Sequence, residues 1–178
     1  MMKMNDQRGL GLIEVMITLL LVCVGVLGMV ALQSKTVQYT QDSVQRNAAA
    51  LLASNLMEII RSNPDAILDS RAQLKTASDF YKQPNEDFAT CSSTDVYSDE
   101  PGKQLACWAK QASDTLPGAK DLLKSKFYVC RSWTAGSCDS TKGSAIEIQL
   151  AWSVKKGECL NPDKQNETTC TYTIRTEL

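Results

Sequence analysis

The 178-residue sequence contains no histidine. The commonest general base and the commonest metal ligand are therefore both missing. Aromatic residues make up only 6% of the chain, so any sheet-bearing domain has a small core, and small cores often need covalent staples. The formal net charge is -1. No basic excess points to nucleic acid, and no long acidic run suggests a solvating tail. No C-x-x-C pair occurs, so a zinc site lacks its usual ligand spacing. There is no phosphate loop, nucleophile elbow or paired-carboxylate pattern. Glu86-Asp87 and Asp99-Glu100 read as solvated loop charges. Asn166-Glu167-Thr168 fits a glycosylation acceptor by pattern alone. Neither enzymatic activity nor a cofactor nor a metal site is expected.

What the chain does have is one long apolar run. Residues 10–32 read LGLIEVMITLLLVCVGVLGMVAL, with Glu14 as the single charge. That length can cross a hydrocarbon core of about 30 Å. Lys3 and Arg8 precede it, partly offset by Asp6. The positive-inside bias keeps this short leader in the cytoplasm and sends the rest outward. An ordinary secretory signal, with an apolar region of roughly 7–15 residues, is too short to account for the run. A plain membrane anchor leaves Glu14 unexplained, since a charge within a membrane helix costs about 2.5–3.5 kcal/mol on insertion scales.

The run Arg8-Gly9-Leu10-Gly11-Leu12-Ile13-Glu14 resembles the class III signal of type IV prepilins and type II secretion pseudopilins. The resemblance implies that a prepilin peptidase cuts the Gly9–Leu10 bond and methylates the new N-terminus at Leu10. Glycine at the scissile bond lets a protease approach the backbone closely. Lys3 and Arg8 hold the leader at the cytoplasmic face. Glu14 is implied to be an assembly-register residue that pairs with the terminal amine of a neighbouring subunit, each charge offsetting the burial cost of the other. The chain departs from the family at two positions: Leu10 stands where Phe is usual, and Gly11 where Thr or Ser is usual. A second run, Val24-Gly25-Val26-Leu27-Gly28 through Gln33, resembles the PilV type of minor pilin and the related GspI type of minor pseudopilin. Its glycines weaken a helix by about 1 kcal/mol each but permit close helix packing in a membrane.

Residues 33–61 are polar but periodic. Val37, Val44, Ala48, Leu51, Leu52, Leu56 and Ile59 recur at three- and four-residue steps, predicting an apolar stripe that packs on the chain's own sheet; a coiled-coil partner is the rival reading. Pro64 stops the helix near Ser62. A helix over residues 10–61 runs about 78 Å at 1.5 Å per residue. Residues 63–101, rich in Asp, Ser, Asn and Pro, read as a connector, and residues 103–114 as a short helix. Strands are predicted at residues 126–133, 144–154 and 169–178. In the second, Ile146, Ile148, Leu150, Trp152 and Val154 face one way, and Glu147, Gln149 and Ser153 the other. In the third, Cys170, Tyr172, Ile174, Thr176 and Leu178 oppose Thr171, Thr173, Arg175 and Glu177. The expected fold is α+β: a long N-terminal helix packed on an antiparallel sheet of three or four strands. Its parts are a leader (1–9), a membrane half of the helix (10–32), an outer half (33–62) and a disulfide-bonded head (63–178).

Of the seven cysteines, Cys23 lies in the apolar run and is expected to be a buried apolar residue there. The other six fall in the C-terminal half and read as a disulfide framework in an oxidising compartment, free thiols being the alternative. Six allow 15 connectivities. Sequential pairing is expected: Cys91–Cys107, Cys130–Cys138 and Cys159–Cys170.

Three functions follow. The resemblance implies a minor pilin that joins other minor pilins and the major pilin in a complex priming pilus assembly, near the tip with a tip adhesin as a further candidate partner, supporting adhesion and twitching motility. It would be processed at the inner membrane with its head in the periplasm. The second is a minor pseudopilin of a type II secretion system. The third is a membrane-anchored periplasmic binding domain.

Overall fold

The structure is a computed structural model that describes residues 11–139, 141–159 and 167–178. Two compact units are present, Met1–Thr40 and Gln41–Leu178.

One helix, α1 (Leu12–Ser62), contributes to both. No proline interrupts it, and Leu, Met and Ala supply good helix propensity. Within the first unit every described side chain from Gly11 to Val37 is exposed, Cys23 included. Among the described residues this is the one helix long and apolar enough to cross a membrane, with a mean hydropathy of 2.8 over its most apolar window.

The second unit holds the rest of α1, then α2 (Pro64–Ile67), a 3-10 turn (Asp95–Tyr97), α3 (Pro101–Thr115), α4 (Ala119–Lys126) and strands β1 (Tyr128–Ser132), β2 (Ala145–Ser153) and β3 (Thr169–Thr176). The sheet is antiparallel in the order β1-β2-β3, with Ile148 opposite both Val129 and Ile174. The expected helix-on-sheet α+β architecture is present, with three strands. Helix α1 ends where expected. Asn63 Nδ2 donates to Ile59 O at 2.9 Å, and Pro64 follows, which disfavours helical geometry in the residue before it.

The stripe on α1 differs from the expected one. Ala49, Leu52, Ala53, Leu56, Met57 and Ile60 are buried, at steps of three and one that trace a 3.6-residue period. Val37, Val44 and Leu51 are exposed, and Ala48 and Ile59 are half-buried at the stripe's border. The contact line includes two small residues, fully buried Ala49 and Ala53, beside Leu52, Leu56, Met57 and Ile60. Trp108 of α3 is pinned to this helix by its indole N–H, which donates to Leu52 O at 2.9 Å.

The sheet also departs from a one-sided pattern. The face of Ile146, Ile148, Leu150 and Trp152 is fully buried, as alternation predicts. On the opposite face, however, Ala145, Glu147 and Ala151 are also fully buried. A central strand covered on both sides loses its alternation signal. Helix α4 was not anticipated. It begins after Gly118, whose φ of +63° is left-handed, and has no side-chain cap to announce it. The connector is also more ordered than its composition suggests. Its Ile67 and Phe80 are fully buried in the core, and Lys82 exchanges two backbone hydrogen bonds with Val129 on the outer side of β1.

The six head cysteines form Cys91–Cys107, Cys130–Cys138 and Cys159–Cys170. Each closes a short loop, and in a chain-entropy account each stabilises the fold by on the order of 3 kcal/mol. Together they tie the connector to α3, close the turn after β1 and join the β2–β3 connection to β3.

Candidate functional site

The sequence places its sharpest expectations at the N-terminus. Lys3, Arg8, Gly9 and Leu10 lie outside the described residues, and so does Asn166. Glu14 sits in the first turn of α1, where its backbone N–H donates to Gly11 O at 2.9 Å. A carboxylate there faces the positive end of the helix dipole, worth about 0.3–1 kcal/mol at an exposed site. The side chains following it are apolar and exposed through Val15, Met16 and Ile17. The geometry is therefore one acidic group at the head of an unbroken apolar helix, which suits lateral packing against other apolar helices and leaves that group to meet a cation.

The head carries buried polar groups that sequence reasoning missed. Glu147, placed above on the face opposite the apolar one, is fully buried. Its Oε1 accepts from the Tyr128 hydroxyl at 2.7 Å and from Gly136 N–H at 2.9 Å. The Ser132 hydroxyl lies 2.8 Å from Oε2 and also 2.8 Å from Thr134 O, so its single proton serves one of them at a time. Burial pushes the Tyr128 phenol well above its ordinary range, and the hydrogen bond to Glu147 and its negative charge push the same way. Glu147 thus holds the turn after β1 in shape, alongside the Cys130–Cys138 bridge.

Lys82 is 3% exposed. Its ammonium donates to Leu123 O at 2.9 Å, Lys124 O at 2.8 Å and Phe127 O at 2.6 Å. These are carbonyls at and just past the C-terminal end of α4, where a helix leaves acceptors without partners. The Phe88 ring lies 4.9 Å from the same nitrogen. Burial pulls Lys82 down to about 8, against the upward pull of Glu86 and Asp87. Nearby, burial pushes the Tyr81 phenol up to about 12. On α1, Arg46 stands 5.9 Å from the centre of the Trp152 ring and 3.9 Å from the carboxylate of buried Asp42. The only sequence-level signal for these groups is negative: each charge breaks an otherwise apolar neighbourhood or sits in a connector.

Among the described residues no cluster of His, Cys, Asp or Glu has the size to hold a metal ion. The buried charges are spent on backbone and hydroxyl groups that fix loops.

Two family models match the chain. The one described as "Prokaryotic N-terminal methylation motif" matches residues 4–30, and the one described as "Type IV pilin Tt1218" matches residues 31–99. No curated protein and no solved structure matches it.

Proposed function

We propose that the chain is a type IV pilin with a structural role, and within that family a minor pilin of the PilV type, part of the complex that primes pilus assembly. The observation that carries the reading is continuity. The methylation-motif match ends at residue 30, the pilin match begins at residue 31, and Glu14 is the one charge in the apolar run between leader and head. In this reading prepilin peptidase cleaves Gly9–Leu10 and methylates Leu10 while Lys3 and Arg8 hold the leader in the cytoplasm. The subunit waits in the inner membrane with its head in the periplasm. It then enters the filament with other minor pilins and the major pilin, at or near the tip. Adhesion and twitching motility would depend on that assembly. The pilin match favours a pilus over a secretion pseudopilus.

The test uses two variants with separate readouts. Gly9→Ala should leave the leader attached, so the chain from membranes should be larger by about 1 kDa than the processed form, because nine residues remain. Glu14→Leu should be inserted and cleaved normally but be absent from sheared filaments, because the register charge is gone. Normal recovery of Glu14→Leu in filaments, with motility intact, would overturn the assembly role. An N-terminal sequence beginning anywhere other than Leu10 would overturn the cleavage assignment.

A further inference from the structure

On the head, two turns from distant parts of the chain wall a groove of about 790 Å³, in the size range of small-ligand sites. It continues into a second lobe of about 460 Å³ through the shared residues Gln73, Leu74, Arg131 and Thr141.

Both walls are rigid. On one side Asp69 Oδ1 accepts from Arg71 N–H at 2.8 Å and Gln73 N–H at 2.9 Å, and this turn holds Ala72 at a φ of +55°. A left-handed non-glycine residue costs of order 1 kcal/mol and persists where its surroundings over-determine it, often at binding sites. On the other side Asp139 Oδ1 accepts from Thr141 N–H and Lys142 N–H at 2.9 and 3.0 Å. Gly143 closes that wall at a φ of +124°, so near Ser132 that an added Cβ would lie 2.6 Å from its carbonyl oxygen. The Cys130–Cys138 bridge and buried Glu147 complete the scaffold.

The groups left facing the groove define the ligand. Trp133 is 68% exposed, in a chain with only three tryptophans. The Thr141 hydroxyl donates to Asp139 Oδ1 at 2.8 Å and the Ser144 hydroxyl to Glu177 Oε1 at 3.0 Å, so both line the groove with oxygens that can still accept, and Gln73 adds an amide. Most of the charges are spoken for: Arg131 Nε and Nη2 both donate to Gly143 O, at 3.3 and 2.9 Å, Asp139 and Asp69 are engaged by their own turns, and the Lys75 ammonium donates to Asp65 O; exposed Lys142 adds one cation to the lining. A flat ring with neutral donors and acceptors suits a partner with one weakly polar face and many hydroxyls. The C–H face of a pyranose ring stacks on the negative face of an indole, and its hydroxyls can donate to the Thr141 and Ser144 oxygens and both donate to and accept from the Gln73 amide.

We propose that this groove binds a neutral saccharide chain, with Trp133 as its stacking platform. The site does not depend on whether the chain enters a filament, so its failure and the failure of the pilin assembly reading are separate results.

The experiment titrates the full-length chain in detergent micelles with chitohexaose, cellohexaose and maltohexaose. Trp108 and Trp152 are buried, so acrylamide quenching of tryptophan emission reports mainly on Trp133. At least one saccharide should shield that emission with a dissociation constant of about 1 mM or below, the range expected of a few weak contacts. Affinity by calorimetry should change less than about twofold when salt is raised from low to high, because no buried charge pairing is involved. Trp133→Ala should abolish binding without moving the melting midpoint, and Trp133→Phe should keep it within about tenfold, since a smaller ring still stacks. The proposal is overturned if none of the three binds at about 10 mM, well above the expected range, or if Trp133→Ala binds as well as the parent. It is equally overturned if the groove instead takes an acidic peptide with strong salt dependence, which would make it a protein-docking surface.

Discussion

Glu147→Ala should destabilise the head by about 2–4 kcal/mol, through a small cavity and through the buried Tyr128 hydroxyl left without its acceptor. The Tyr128 hydroxyl and Gly136 N–H lose Oε1, while Ser132 retains Thr134 O as a partner. Against a typical total of about 5–15 kcal/mol this is a large share, and urea denaturation of the oxidised full-length chain in detergent would read it directly. Glu147→Gln should cost less, about 1 kcal/mol, because one acceptor oxygen survives in place. The two variants should also differ locally. Hydrogen exchange at Gly136 should speed up in the alanine variant as the turn after β1 opens, whereas exchange in α1 should follow only the global change. A Glu147→Ala variant as stable as the parent would mean that the turn is held by the Cys130–Cys138 bridge alone.

Glu147 also marks the boundary of what the sequence makes legible. Alternation in β2 identified the apolar face through Ile146, Ile148, Leu150 and Trp152, because period two is a local property of a strand. It could not reveal that the other face is buried, since that cover comes from side chains and turns elsewhere in the chain. The same logic separates the end of α1 from its stripe. Pro64 is a local stop signal and was readable. Which of two adjacent apolar lines is buried depends on the surface it meets, and there Ala49 and Ala53 are buried while the larger Val44 and Leu51 are exposed. Helix α4 lacks both a side-chain cap and a long period, so nothing local announced it. The head cysteines were legible because short loops favour nearby partners. The groove was not: its walls come from residues 68–77 on one side and from Arg131, Trp133, Asp139 and residues 141–144 on the other, which only the folded chain brings together. At the N-terminus a methylation motif was legible, because its signal lies within a few consecutive residues, and a family model matches it over residues 4–30.

Lys82→Ala is the second variant with a large expected effect, again about 2–4 kcal/mol at neutral pH. Three carbonyls at the end of α4 lose their donor, and the alkyl stem leaves a gap beneath Phe88. Lys82→Met should recover the packing share but not the hydrogen bonds, so it should fall between alanine and the parent. A methionine variant as stable as the parent would show that burying the charge had offset those three bonds entirely. The pH dependence gives an independent check. Lys82 releases its proton near 8 in the folded head and near 10.5 when unfolded. Between those values the unfolded state binds more protons, so stability rises with pH. Tyr81 and Tyr128 act oppositely. Their phenols are raised above the ordinary 10 in the folded state, Tyr81 to about 12. Above pH 10 the folded state therefore holds more protons, and stability falls as pH rises further. The parent head should be most stable near pH 10. Lys82→Met should lose the rising limb between 8 and 10 while keeping the alkaline fall, and Tyr81→Phe should soften the fall while leaving the rise. A parent curve that declines steadily from pH 8 would place the Lys82 ammonium in a better-solvated setting than its burial implies.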